Sequence, residues 1–247
     1  MRNFLSVLFL ITSLNAGEIN VAVAANVSYA MDELKREFSK ISPKTKIRVI
    51  LGSSGKLSSQ IRNGAPYGIF MAANMIYPQS LFNDKLATTK PQVYAEGYLA
   101  YFSHKERDFS RGFSLFKEEG IRKVAVANYK TAPYGKASLE AMRSAGIYEA
   151  IKDKLVYAES ISQTVFYTVN AADIGIIAKS SLYSSKMRRY KENIHWATID
   201  TKLYNPIKQG IVLLKHAKKS QEYQKFYDFV LSVKAKTILR KYGYITR

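Results

Sequence analysis

Four short stretches carry residue types that could grip a small guest: AANVS at 24–28, GSSGK at 52–56, NYKTAPYGK at 128–136 and ESISQ at 159–163. Each closes a strand-like run and opens a helical pattern. The first turn of a helix holds unpaired N–H groups and about half a positive charge, so it attracts anions. Gly52-Ser53-Ser54-Gly55 would set such groups beside two hydroxyls with no Cβ at either end. Asn26, Ser28 and Ser162 could add side-chain donors. A single GSSG is equally an ordinary N-cap turn. The chemistry expected is anion capture, and it requires the four turns to meet at one point.

Other chemistries lack their residues. The chain has three histidines, His104, His195 and His216, with no metal-type spacing and none beside a turn. Cysteine is absent, which excludes disulfides and thiolate metal sites. The serines of GSSG have no G-x-S-x-G elbow and no assignable base. No enzyme activity, cofactor or bound metal cation is expected.

The elements that must position the turns follow from periodicity. EINVAVA alternates Ile19, Val21 and Val23 as a strand does. SYAMDELKREFSKI spaces Met31, Leu34, Phe38 and Ile41 as one face of a helix. KIRVILG reads as a strand, KLSSQIRNG as a helix stopped by Gly64, and GIFMAAN as a buried strand. The pattern resumes with strands at 98–104, 123–128, 173–178 and 209–216 and a helix at 135–146. A long terminal helix follows, with Tyr223, Phe226, Tyr227, Val230 and Val233 on one side. Alternating strands and helices predict an α/β fold of two lobes, each a mostly parallel sheet flanked by helices, with ligands at the carboxyl ends of the strands. The expected division is 17–96 plus 210–247 for one lobe and 97–209 for the other, with crossover strands near 95–100 and 205–211.

Hydrophobic residues make up 47% of the 247 and charged ones 23%, a globular balance. A basic start, an apolar run from Phe4 to Leu14 and the small residues of LNAG read as a signal peptide over 1–16. The mature chain is therefore expected to be soluble and exported. The net charge of +19 favours anionic partners, but its lysines and arginines are dispersed; the densest group, Lys186, Arg188, Arg189 and Lys191, reads as a solvated surface.

From about residue 18 onward the chain resembles the periplasmic molybdate-binding proteins of bacterial molybdate and tungstate ABC transporters, type II periplasmic binding proteins. LGSSGKLSSQIRNGAP matches the family's GSSG-x-L-x-x-Q-I-x-x-GAP element, and AESISQTVFYTVNAADIGIIAKSSL follows its E-x-V-x-x-A-L element. VANYKTAPYGKASLEAM corresponds to its PAG-x-Y-A-x-EAL segment. The resemblance implies a hinge-closing monomer that buries a tetrahedral oxyanion, molybdate or tungstate, and hands it to a membrane permease. Carried over by position, Asn26 stands at the first serine donor and Ser54 at the second. Tyr134 and Ile161 stand where an alanine and a valine offer backbone N–H groups. Ser53, Ser28 and Ser162 are supplementary donors. The family's ligand tyrosine falls on Ala178, which has no donor, and its Tyr-Pro at the second crossover is Gln209-Gly210. These departures imply a relocated donor, among Tyr29, Tyr67, Lys56 and Lys179, or a different oxyanion.

Glu159 is the one carboxylate in the four turns. A proton-free dianion accepts and never donates, so it suits a donor-only ring. Hydrogen phosphate carries a proton that such a ring leaves unmet. Two alternatives stand beside this reading. One is the same fold with another anion such as sulfate. The other is a basic exported protein that binds surfaces or polyanions, which a missing nucleic-acid motif opposes.

Overall fold

The computed structural model describes residues 17–246; the signal peptide expected over 1–16 lies outside them. Strands β1 (Glu18–Ala24), β2 (Lys46–Gly52), β3 (Ile69–Ala72) and β4 (Gln92–Gly97) build a first sheet. The chain then crosses to a second sheet made of β5 (Leu99–Phe102), β6 (Val124–Ala127), β7 (Leu155–Ala158), β8 (Ile174–Ala178) and β9 (Trp196–Thr198). It returns as β10 (Ile207–Leu213) to the first. The strand orders are β2-β1-β3-β10-β4 and β7-β6-β8-β5-β9.

Both sheets are mixed, where a mostly parallel arrangement was expected. β1 runs parallel to β2 and β3, and β6 to β7 and β8. β10 is antiparallel to β3 and β4, and β5 to β8 and β9. A strand that arrives from the other lobe without a crossover helix is free to enter against its neighbours.

Helices cover the sheets: α1 (Ser28–Ile41), α2 (Ser54–Arg62), α3 (Ile76–Asn83), α4 (Pro133–Ser144), α5 (Tyr148–Ile151), α6 (Ile161–Asn170), α7 (Gln221–Leu231) and α8 (Val233–Lys241). All residues of β3, β5, β6 and β8 are buried, as strands covered on both faces must be. α1 buries Met31, Leu34 and Phe38 but leaves Ile41 exposed at its last turn. α2 ends where Gly64 takes a positive φ of 85° and donates its N–H to the Ile61 carbonyl.

The terminal helix expected as one piece is two. Ser232 leaves helical geometry at φ −72°, ψ 160°; its hydroxyl donates to Phe229 O at 2.7 Å and accepts the Ala235 N–H at 3.3 Å. The serine thus caps a new helix, and Val233, counted on the buried side, is 76% exposed.

The four turns leave the carboxyl ends of β1, β2, β6 and β7, and α1, α2, α4 and α6 begin in or just after them. In each sheet the two strands concerned are parallel neighbours, so their ends open on the same side.

Candidate functional site

The turns meet between the lobes. Ala24, Ala25, Asn26, Gly52, Ser53, Ser54 and Ala73 from the first lobe and Ala132, Pro133, Tyr134 and Ile161 from the second line a half-open cavity of about 10 Å³, on the scale of one water-sized guest. None of these side chains is charged.

Helix starts supply the donors. Ser54 and Ile161 are the first residues of α2 and α6, and Tyr134 is the second of α4, behind Pro133. Among the described residues the backbone N–H groups of Ser54, Tyr134 and Ile161 have no acceptor, as expected of first-turn amides. Ser54 Oγ accepts the Ala73 N–H at 2.9 Å, which leaves its own proton free to be donated. Ser53 Oγ is buried without a partner.

The lobes already touch. The Gly55 N–H donates to Thr131 O at 2.9 Å across the cleft, Ser162 Oγ to Ala25 O at 2.8 Å and Ser180 Oγ to Asn26 O at 3.1 Å. Lys56 pairs with Glu159 at the mouth. This explains the second glycine of GSSG. A Cβ on Gly55 would lie 2.9 Å from the Thr131 carbonyl oxygen and 2.8 Å from Tyr77 Oη, so the residue is small to let the other lobe close on it.

The remaining sequence candidates lie elsewhere. Ser162 spends its hydroxyl on Ala25 O, and Ser28 lines a separate groove of about 610 Å³ with Tyr29, Arg36 and Phe166. Ala178 is buried in the same extended apolar cluster as Tyr134 but does not line the cavity. Of the four residues considered as replacement donors, none lines the cavity. Tyr29 meets Ser162, Tyr67 donates to Gln60, Lys56 is paired and Lys179 lies over the rings of Tyr98 and Trp196. Lys186, Arg188 and Arg189 line the open groove, not the cavity.

Sequence reading missed the polar layer behind Asn26. Asn26 Nδ2 donates to Gln209 Oε1 at 2.7 Å and to Tyr244 Oη at 2.9 Å. Tyr94 Oη donates to Gln209 Oε1 at 3.0 Å, and Gln209 Nε2 to Tyr134 Oη at 3.3 Å. Burial raises the phenols of Tyr94 and Tyr134 well above the ordinary tyrosine range and Tyr244 to about 12. The layer therefore stays uncharged at neutral pH. Gly97 makes room for it, since a Cβ there would fall 2.0 Å from Tyr134 Oη. The one available signal was Gln209, a polar residue inside an apolar strand.

This architecture, with a cavity between two lobes and donors from both, is that of a binding protein. The chain matches the model of the bacterial extracellular solute-binding proteins over residues 19–245, and it belongs to that family. Within it the chain is 32% identical to the molybdate-binding protein ModA of Azotobacter vinelandii, over 93% of this chain and 90% of that one. It is 33% identical to the molybdate-binding protein ModA of Rhodobacter capsulatus, over 94% and 89%. Its fold superposes on the periplasmic molybdate-binding protein of Azotobacter vinelandii with a TM-score of 0.85 and 27% identity, covering 93% of this chain and 99% of that structure. Among the described residues no helix is long and apolar enough to cross a membrane.

Proposed function

We propose that the protein captures molybdate or tungstate in the periplasm, as a monomer, and delivers it to the permease of an ABC transporter. One observation carries this reading: backbone and hydroxyl donors from both lobes converge on a cavity whose lining holds no charged side chain. Fixed dipoles replace the water around a proton-free dianion without requiring a neutralising cation. Ser54, Tyr134 and Ile161 donate through their backbone, Ser54 also through its hydroxyl, and Asn26 stands in the wall between the lobes. The family to which the chain belongs and its molybdate-binding relatives support the choice of cargo.

Thermal unfolding tests it. A guest that binds only the folded state at one hundred times its dissociation constant adds about 2.7 kcal/mol, which moves the melting point of a chain this size by about 5 to 10 °C. Molybdate or tungstate is expected to give that shift and sulfate a smaller one. No shift with any of the three overturns the reading.

The ion pair at the mouth should matter little. Lys56 and Glu159 are 52% and 54% exposed, so water and salt screen their attraction. Lys56→Ala is expected to change molybdate affinity by less than about threefold in calorimetry. A larger loss would place Lys56 in direct contact with the guest.

A further inference from the structure

In the layer behind the cavity one polar atom has no partner. Asn26, Gln209, Tyr94 and Tyr134 are all at most 1% exposed. Their amide and phenol groups pair with one another as described, and Tyr244 Oη donates to Asn26 O at 2.8 Å. The exception is Asn26 Oδ1, buried and unsatisfied on a residue that lines the cavity. An acceptor there opposes an anion, while the neighbouring turns all offer donors.

The layer has a second solution. Each carboxamide has an acceptor on one side and donors on the other, and each phenol can do both. Amide oxygen and nitrogen exchange places with little change of shape. If both amides turn over, Gln209 Nε2 donates to Asn26 Oδ1 and to Tyr94 Oη. The Tyr94 hydroxyl then donates to Ala72 O, 3.4 Å away, and Tyr134 Oη donates to Gln209 Oε1. Tyr244 Oη, 2.9 Å from the same side-chain atom of Asn26, turns its proton from Asn26 O to Asn26 Oδ1, and Asn26 O keeps the Ser180 hydroxyl. Every side-chain pair is kept with its direction reversed, Asn26 O gives up one of its two donors, and the free amide atom of Asn26 is now Nδ2, a donor.

We propose that Asn26 and Gln209 form a coupled amide pair that turns over when the anion arrives, so that Asn26 Nδ2 faces the guest and Gln209 holds it there. This deepens the oxyanion reading and rests on it. Gln209 is then a positioning residue: it never touches the anion, but without it the Asn26 amide is not oriented.

A double-mutant cycle read by molybdate calorimetry tests the coupling. Gln209→Met in the native chain is expected to weaken binding about tenfold, because Asn26 loses the partner that orients it. In the Asn26→Ser background the same substitution is expected to cost less than about threefold, since a hydroxyl rotates into a donor unaided. Equal losses in both backgrounds overturn the pair. A second measurement uses the native chain and so does not depend on how the variants fold. Nuclear Overhauser contacts of the Gln209 side-chain NH2 are expected on the Tyr134 ring without molybdate and on the Tyr94 ring with it. Contacts that stay on Tyr134 while molybdate binds normally overturn the pair alone; a native chain that binds neither molybdate nor tungstate overturns both it and the oxyanion reading.

Discussion

Ser54→Ala should weaken molybdate binding at least tenfold and, separately, lower the melting point of the guest-free protein. The two effects have different causes. Ser54 is 1% exposed, and its Oγ accepts the N–H of Ala73, itself 2% exposed. Deleting the hydroxyl strands that N–H in a buried place, which costs about 1–3 kcal/mol of folding stability. The stranded group is present with and without the guest, so it cancels from the affinity. What remains is the loss of the O–H donor to a doubly charged anion. A hydrogen bond to a charged group contributes about 1.5–3 kcal/mol, or roughly ten- to 150-fold in the dissociation constant. The backbone N–H of residue 54 survives the substitution, so binding is weakened and not abolished. Calorimetry reads the affinity and thermal unfolding reads the stability. A lower melting point with unchanged affinity would leave Ser54 structural and remove its hydroxyl from the site.

How far such residues can be read from sequence depends on the range of the interactions that place them. The turn at Ser54 was legible because everything that makes it is local: an alternating strand, two small residues, and a helix pattern with Leu57 and Ile61 on one face. The start of α6 at Ile161 was legible for the same reason. Strand direction was not. Periodicity states which face of β10 is apolar, but it does not state that the strand enters between β3 and β4 against both. Helix continuity failed where one side chain decides it: Val233 keeps the spacing of Val230, yet Ser232 caps a new helix and turns Val233 to water. The layer behind Asn26 was the least legible, because Asn26 and Gln209 are 183 positions apart and Asn26 and Tyr244 are 218 apart. Asn26, Tyr134 and Gln209 each depart from the family pattern. Taken singly they read as unrelated substitutions; in space they form one connected group.

A backbone donor can be removed as cleanly as a hydroxyl, and Ile161 is placed for it. Ile161→Pro should weaken molybdate binding about ten- to 100-fold, the loss of one charge-assisted N–H bond. Proline is ordinarily ruinous in a helix, but Ile161 is the first residue of α6, where its N–H bonds nothing within the described residues. The residue before a proline must be extended, and Ser160 already is, at φ −139°, ψ 163°. The cap survives, since Ser160 Oγ accepts the Gln163 N–H at 3.3 Å and Ser160 O accepts the Thr164 N–H at 3.0 Å. α4 shows the same device in the native chain, with Pro133 at its first position. The side chain of Ile161 is 4% exposed in the cluster that spans the cleft, so losing it costs packing as well. Ile161→Ala separates the two contributions: it loses the packing and keeps the N–H. It is expected to melt lower while holding molybdate within about threefold of the native affinity. If the alanine and proline variants bind molybdate equally, the amide of Ile161 does not reach the anion, and the second lobe must grip its guest through Tyr134 alone.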